Sequence, residues 1–138
     1  MNEGDLFLKF KEAYLPDLKV AVDTASPFDA ICHTAKVVVE FKCRRAHYND
    51  MLIEWPKYQT LLNRAADRGY KPIYVCSTPL GVWAWDLTYL NLKWIKKHLP
   101  YETKSNIHAV NDRRPILKQV AYLDIEEGSY LNKIKLWE

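Results

Sequence analysis

The sequence contains two carboxylates and a lysine whose spacing would let a simple fold bring them together: Asp29, Glu40 and Lys42. Two carboxylates that lie close together repel each other unless a divalent cation sits between them, and their oxygens suit Mg²⁺ or Mn²⁺. A cation held there lowers the pKa of a bound water and neutralises charge on phosphoryl oxygens. A neighbouring ammonium can orient that water or stabilise developing charge. These residue types therefore favour hydrolysis of a phosphodiester.

The elements that must position these side chains are two short strands joined by a tight turn. Residues 37–41 are rich in valine and end in Phe41, which predicts a strand, and residues 28–32 form a second apolar run. Residues 33–36 are the polar break between them, short enough for a β-hairpin. With the turn centred on residues 34–35, Asp29 faces Glu40 across the hairpin, with their Cβ atoms roughly 5 Å apart.

Alternation of side chains along each strand separates this hairpin into two faces. One face is predicted to be wholly apolar: Phe28, Ala30, Cys32, Val37, Val39 and Phe41. The other face is predicted to combine charged and apolar residues: Asp29, Ile31, His33, Lys36, Val38, Glu40 and Lys42. The alternative to a site is that the second face is simply solvated. Two observations argue against a solvated face: the apolar residues Ile31 and Val38 lie between its charged residues, and helices on both sides of the sheet would bury it.

The hairpin resembles the PD-(D/E)XK nuclease superfamily, which includes restriction endonucleases, Holliday-junction resolvases and many small phage nucleases. The resemblance rests on Pro27 and Asp29 followed, after ten residues, by Glu40-Phe41-Lys42. One residue separates the proline from the aspartate, which departs from the strict motif. The Glu-x-Lys triplet alone is common by chance. The apolar strand before it, the aspartate in register and the order of the following elements add to the likeness, which covers roughly residues 1 to 90.

The resemblance implies an α/β fold of the restriction-endonuclease-like type: a three-layer sandwich with a mixed central β-sheet flanked by helices. The length of the chain predicts a single nuclease-like domain over residues 1–138. It implies a divalent-metal-dependent nuclease, of the endonuclease or junction-resolvase type, with DNA as the expected substrate. Asp29, Glu40 and Lys42 would be the catalytic residues. Asp29, Glu40 and the carbonyl of Phe41 would bind Mg²⁺ or Mn²⁺. In some relatives a carboxylate of the first helix joins the site, which singles out Glu3 and Glu12, although surface positions are the simpler expectation.

A basic segment follows the lysine and contains Arg44, Arg45 and His47. In a nuclease this segment would hold the phosphate backbone of DNA, and the alternative is a solvated loop. The net charge of +3 permits binding to nucleic acid but does not argue for it. Because a chain of this size offers little surface for a long duplex, its length suggests a homodimer that cuts two strands, or a component of a larger assembly.

The flanking elements follow from apolar spacing and from turn residues. Helices are predicted over residues 2–14 and over residues 56–68, the second beginning at Pro56 and ending before Gly69. Strands are predicted at 18–22, 71–77, 82–87 and 116–125, a basic helix at 89–98, a loop at 101–114, and a last strand or dimer contact at 131–137. The second helix is a crossover, which makes the strands on either side of it parallel.

Composition narrows the class of protein. A chain of 138 residues with 49% hydrophobic residues fits one globular domain. Three cysteines without a C-x-x-C pair predict reduced thiols in an intracellular protein. No apolar run is long enough to cross a bilayer and the N-terminus lacks a signal-peptide core, so no membrane partner is expected. The same residues also allow two alternatives to the nuclease: a catalytically inactive module of the same fold that binds nucleic acid or protein, and a hydrolase for a small phosphate ester.

Overall fold

The computed structural model describes residues 1–21, 29–100 and 115–136. Within these ranges there are two α-helices, Glu3–Ala13 (α1) and Trp55–Arg68 (α2). The strands of the same ranges are Lys19–Val20 (β1), Ala30–Cys32 (β2), Val37–Cys43 (β3), Asp50–Glu54 (β4), Lys71–Thr78 (β5), Gly81–Asp86 (β6), Ile95–Leu99 (β7), Ile116–Asp124 (β8) and Ser129–Tyr130 (β9).

The helices predicted at 2–14 and 56–68 are confirmed, and their ends have the expected chemistry. Asn2 caps α1, because its side chain accepts a hydrogen bond from the Asp5 N–H at 2.8 Å while the Asp5 carboxylate accepts one from the Asn2 N–H. Pro56 lies in the first turn of α2, and Gly69 ends the helix in the left-handed conformation with φ of 67°. Because Gly69 tolerates this φ without strain, the chain can turn directly into β5.

The central sheet has the strand order β1-β2-β3-β5-β6-β9. The predicted register of the β2–β3 hairpin is confirmed, since Ile31 pairs with Val38 and Cys32 pairs with Val37. The pairing of β3 with β5 is parallel, as the α2 crossover predicts, and β5 with β6 is antiparallel. The sheet is therefore mixed. The predicted strand at 18–22 is limited to Lys19–Val20, with Val22 outside the described residues.

Three layers surround two apolar cores. On one side α1 packs against β3, where the rings of Phe7 and Phe10 lie 5.9 and 5.5 Å from the ring of Phe41. On the other side the buried residues of β2 and β3 pack against α2, β4 and β8, with Val38 and Leu61 as examples. The predicted division of the hairpin into two faces is confirmed for its described apolar residues, and Phe28 lies outside the described ranges. Because each face of β3 is covered, its polar side chains must be satisfied inside the protein.

A second, antiparallel sheet of order β4-β8-β7 was not predicted as a separate layer. β8 matches the predicted strand at 116–125 to within one residue, but the predicted helix at 89–98 is wrong. A short 3-10 turn at Leu87–Tyr89 is followed by extended chain and then by β7. Leu90, Leu92 and Trp94 all pack on the α2-side core, and this spacing of two is the period of a strand, not of a helix.

Of the two predictions for residues 131–137, a last strand or a dimer contact, the strand is not formed by the described residues 131–136. Residues 131–136 are irregular, and β9 lies before them. Leu131 and Ile134 insert into the core on the α1 side, which anchors the segment through side chains instead of strand pairing. The predicted loop at 101–114 and Trp137 lie outside the described residues. All three cysteines are unbridged, and neither α-helix of the described ranges is long and apolar enough to cross a membrane.

Candidate active site

The β2–β3 hairpin brings Asp29 and Glu40 together on the side of the sheet that faces α2. Ala30 pairs with Val39, and continuing this register by one position places Asp29 opposite Glu40. Both residues are buried, with 3% and 8% of their surface exposed. Both line one cavity of about 220 Å³, whose far wall is α2. Two facing, buried carboxylates are costly unless positive charge compensates them.

The negative charge of Asp29 is compensated by an arginine of α2. Its Oδ2 forms an ion pair with Arg64, whose side chain is 23% exposed. Its Oδ1 is buried and accepts no hydrogen bond within the described parts of the chain. A buried carboxylate oxygen without a donor is unfavourable, so this atom is a place where a ligand would gain interaction energy.

Glu40 lies between two cavities. Its Oε1 is 3.9 Å from Nζ of Lys57, a largely exposed lysine in the first turn of α2. Glu40 and Lys57 also line a second cavity, of about 100 Å³, together with Lys42. Glu40 and Lys42 are two residues apart on β3, so they project from the same face. The structure therefore places Lys42 next to Glu40, and Asp29 in the adjoining cavity on the other side of Glu40.

The two glutamates of α1 differ in position. Glu3, in the first turn, lines the 100 Å³ cavity with Glu40 and Lys42. Glu12, near the other end of the helix, lines a separate groove with Lys133 and Lys135. Of the two candidates in the sequence, Glu3 is the one that joins the site.

The site offers few protein ligands for a metal ion. Among residues 1–21, 29–100 and 115–136, no group of three or more histidine, cysteine, aspartate or glutamate side chains could hold one. Mg²⁺ often binds proteins through only one or two carboxylates and keeps several waters. Asp29 and Glu40, with the buried Oδ1 of Asp29 unsatisfied, fit that mode, and Phe41 is among the residues that line the neighbouring cavity. The residues present fit a two-carboxylate magnesium site in which Arg64 stays close to one of the ligands.

The three basic residues after Lys42 do not form one patch. Arg44 points inward, where its Nη2 donates a hydrogen bond to the Leu52 carbonyl at 2.5 Å and its side chain lines the cavity of Lys42. Arg45 is exposed. His47 lies at the β5–β6 turn, with Nδ1 2.8 Å from Oγ1 of Thr78. Only Arg44 of the three is part of the candidate site.

Several residues that the structure places in the site or next to it were not assigned to the site from the sequence. Lys57 and Arg64 are seven residues apart on α2, a spacing that puts them on one helical face, and this spacing was available as a signal. Tyr74 and Cys76 of β5 pair with Glu40 and Lys42, which the predicted parallel strands would have indicated had their register been known.

Burial controls the ionisation of these two β5 residues. Burial raises the pKa of Tyr74 well above its usual value, and burial raises the pKa of Cys76 to about 11. Both side chains are therefore neutral at pH 7. Tyr74 lines the 100 Å³ cavity without adding charge to it, and Cys76 lies beside Lys42 on the neighbouring strand.

Comparison of the chain with protein-family models, with curated proteins and with solved structures found no match.

Proposed function

We propose that the protein is a divalent-metal-dependent nuclease that hydrolyses phosphodiester bonds, with DNA as the first substrate to test. The observation that supports this best is the pair of buried, facing carboxylates, Asp29 and Glu40, with the unsatisfied Oδ1 of Asp29 between the sheet and α2. Lys42 lies on the same face of β3 and lines the adjoining cavity. A buried acidic pair beside a lysine suits metal-assisted hydrolysis better than it suits a structural core.

In this proposal each residue has a defined role. Asp29 and Glu40, with the carbonyl of Phe41, would hold Mg²⁺ or Mn²⁺. The bound cation would lower the pKa of a coordinated water and neutralise charge on the phosphoryl oxygens. Lys42 orients the attacking water and stabilises the negative charge that develops on the phosphoryl oxygens as the bond to the leaving oxygen breaks. Arg44, in the same cavity, offers a second cation to the phosphate.

A catalytically inactive module with this fold is the second candidate, and a specific observation favours it. Arg64 is paired with Asp29, and Lys57 approaches Glu40, so cations of the protein already compensate both carboxylates. A protein that never binds a metal ion would need such compensation. This candidate predicts that binding of nucleic acid or protein survives the loss of Lys42.

The two candidates separate in a cleavage assay with supercoiled plasmid, linear single strands and a four-way junction, each with Mg²⁺, with Mn²⁺ and with EDTA. The nuclease proposal predicts cutting that requires the metal ion and disappears in Asp29→Ala. The matched control is Asp67→Ala, because Asp67 is exposed on α2. Cutting that persists in EDTA or in Asp29→Ala, or no cutting of any substrate, would reject the nuclease proposal.

A further inference from the structure

A third and larger cavity, of about 660 Å³, adjoins the candidate active site. It lies against the second sheet, where Leu52 of β4 pairs with Tyr122 of β8. Arg44 and Glu54 line both this cavity and the smaller one that contains Glu40 and Lys42. The two cavities are therefore neighbours on either side of the Arg44 and Glu54 side chains.

The walls of this large cavity combine aromatic and aliphatic side chains with charged groups of both signs. Tyr48 is 63% exposed although it is a large aromatic residue, and Tyr122 forms part of the same lining. Lys97 of β7 donates a hydrogen bond to the Tyr122 hydroxyl at 2.7 Å, and its Nζ lies 5.4 Å from the centre of that ring. Asn49 and Asp50 add hydrogen-bonding groups to the lining. Aromatic faces beside cations and hydrogen-bonding groups are the residue types that hold an unstacked base.

The size and the position of the cavity select the ligand further. A volume of about 660 Å³ is within the usual range of small-molecule sites and is ample for one nucleobase with its sugar. A base in a duplex is stacked on both sides and cannot enter such a space without leaving the helix. Because Arg44 borders both cavities, a phosphate of the same strand can reach Glu40 and Lys42 while the base occupies the large cavity.

We infer that the 660 Å³ cavity is a subsite for an unstacked base of single-stranded nucleic acid, so that the substrate class of the nuclease is single-stranded or locally unpaired. The inference rests on the proposed function, since the candidate active site supplies the neighbouring phosphate position. Tyr48 is the stacking residue. Tyr122, which accepts a hydrogen bond from Lys97, forms part of the cavity wall.

The test measures binding without cleavage. Fluorescence anisotropy in EDTA compares a labelled short oligothymidylate with a duplex of the same length, for the wild-type protein, Tyr48→Ala, Tyr48→Phe and Tyr89→Ala. Loss of a stacking ring weakens binding of the single strand by roughly 5- to 150-fold. Tyr48→Phe keeps the ring and therefore keeps most of the affinity. Tyr89→Ala is the control, because Tyr89 is 78% exposed and its ring lies near Lys71, the first residue of β5. Tyr89 is not among the residues that line the cavity.

The inference is supported if the single strand binds more tightly than the duplex and only Tyr48→Ala loses affinity. Equal binding of both forms, an unchanged affinity in Tyr48→Ala, or no binding of either form would overturn it. These outcomes are independent of cleavage. If the protein binds the single strand through Tyr48 but does not cut it, the subsite is supported and the nuclease proposal is rejected. If the protein cuts DNA and its binding does not depend on Tyr48, the nuclease proposal is supported and the subsite is rejected.

A second measurement locates the base directly. The wild-type protein is irradiated with an oligonucleotide that contains one 5-iodo-2′-deoxyuridine, and the crosslinked peptide is identified by mass spectrometry. The inference predicts a crosslink in the segment that contains Tyr48. A crosslink confined to α1 or to the β5–β6 turn would place the base elsewhere and contradict the inference.

Discussion

Replacing Arg64 by alanine tests whether the acidic pair is as buried and as dependent on positive charge as the structure shows. The substitution removes the partner of Asp29, which is 3% exposed, and leaves its carboxylate in a site closed by α2. Removing one member of a buried ion pair costs about 3–5 kcal/mol, because the remaining charge is desolvated and uncompensated. Since Glu40 is also buried opposite Asp29, the repulsion between the two carboxylates adds to the cost.

The assay is urea denaturation in EDTA, followed by circular dichroism. With a denaturant slope of about 1.5 kcal/mol/M, a loss of about 3 kcal/mol lowers the midpoint by about 2 M. Arg68→Ala is the matched control, because Arg68 is an exposed arginine one turn further along α2. We expect it to change the free energy of unfolding by less than about 1 kcal/mol. The double variant Asp29→Asn/Arg64→Ala should be more stable than Arg64→Ala alone, since the buried charge is gone.

Metal ions supply the second half of this test. If Asp29 and Glu40 form a cation site, Mg²⁺ or Mn²⁺ replaces the charge that Arg64 provided and stabilises the Arg64→Ala variant. At a free concentration of 100 times the dissociation constant, the gain is about 2.7 kcal/mol, which recovers much of the loss. Asp29→Asn/Arg64→Ala should gain far less from the same ion, because one ligand has lost its charge.

Two results would refute the reasoning. A cost below about 1 kcal/mol for Arg64→Ala would mean that the ion pair behaves as an exposed one. A normal cost with no recovery in Mg²⁺ or Mn²⁺ would mean that the acidic pair is structural and would favour the inactive module.

Three further predictions concern stability and metal binding. Because the folded-state pKa of Cys76 is about 11 and the usual value is 9.0, the unfolded chain loses this proton first. This thiol should therefore not affect the free energy of unfolding below pH 9, and should lower it by at most about 3 kcal/mol between about pH 9 and 11. In urea titrations across this range, the free energy of unfolding of Cys76→Ala should fall less steeply with pH than that of the wild-type protein. Gly69→Ala should cost about 1 kcal/mol in urea denaturation, because φ there is 67° but the space for a Cβ is open. Gly81→Ala should cost more, since φ is 153° and a Cβ would meet a tyrosine ring atom at 2.6 Å; equal costs would contradict the packing at the β5–β6 turn. Lys57→Ala should change the free energy of unfolding by less than about 1 kcal/mol, because this lysine is largely exposed. It should also tighten Mn²⁺ binding measured by calorimetry, because the Lys57 ammonium competes with the ion for Glu40. Weaker Mn²⁺ binding would show instead that Lys57 supports the site.

The hairpin could be predicted because its information is local. The alternation around the polar break at residues 33–36 fixes which residues face each other, and one wrong step would have moved every apolar side chain to the wrong face. Pro56 and Gly69 likewise mark the two ends of α2 without reference to the rest of the fold. The facing positions of Asp29 and Glu40 follow from these local rules.

The second sheet could not be predicted, because its information is not local. β4 is five residues long and runs directly into α2 without a turn residue, so its pattern is hidden by the helix that follows. β7 is basic and mostly exposed, and its pairing with β8 joins residues about twenty positions apart. The ion pair between Asp29 and Arg64 depends on how α2 docks on the sheet, which no spacing along the chain specifies.

The most direct test of the central claim is the single-turnover rate of phosphodiester cleavage in Mn²⁺ for Lys42→Met. Lys133→Met serves as the control, because Lys133 is exposed and lies on the α1 side of the sheet. The account predicts that Lys42→Met lowers the rate by at least roughly 100-fold while its affinity for metal-free oligonucleotide changes little, and that Lys133→Met cuts at the wild-type rate. Equal rates in Lys42→Met and in the wild-type protein would contradict the assignment of the active site to β3.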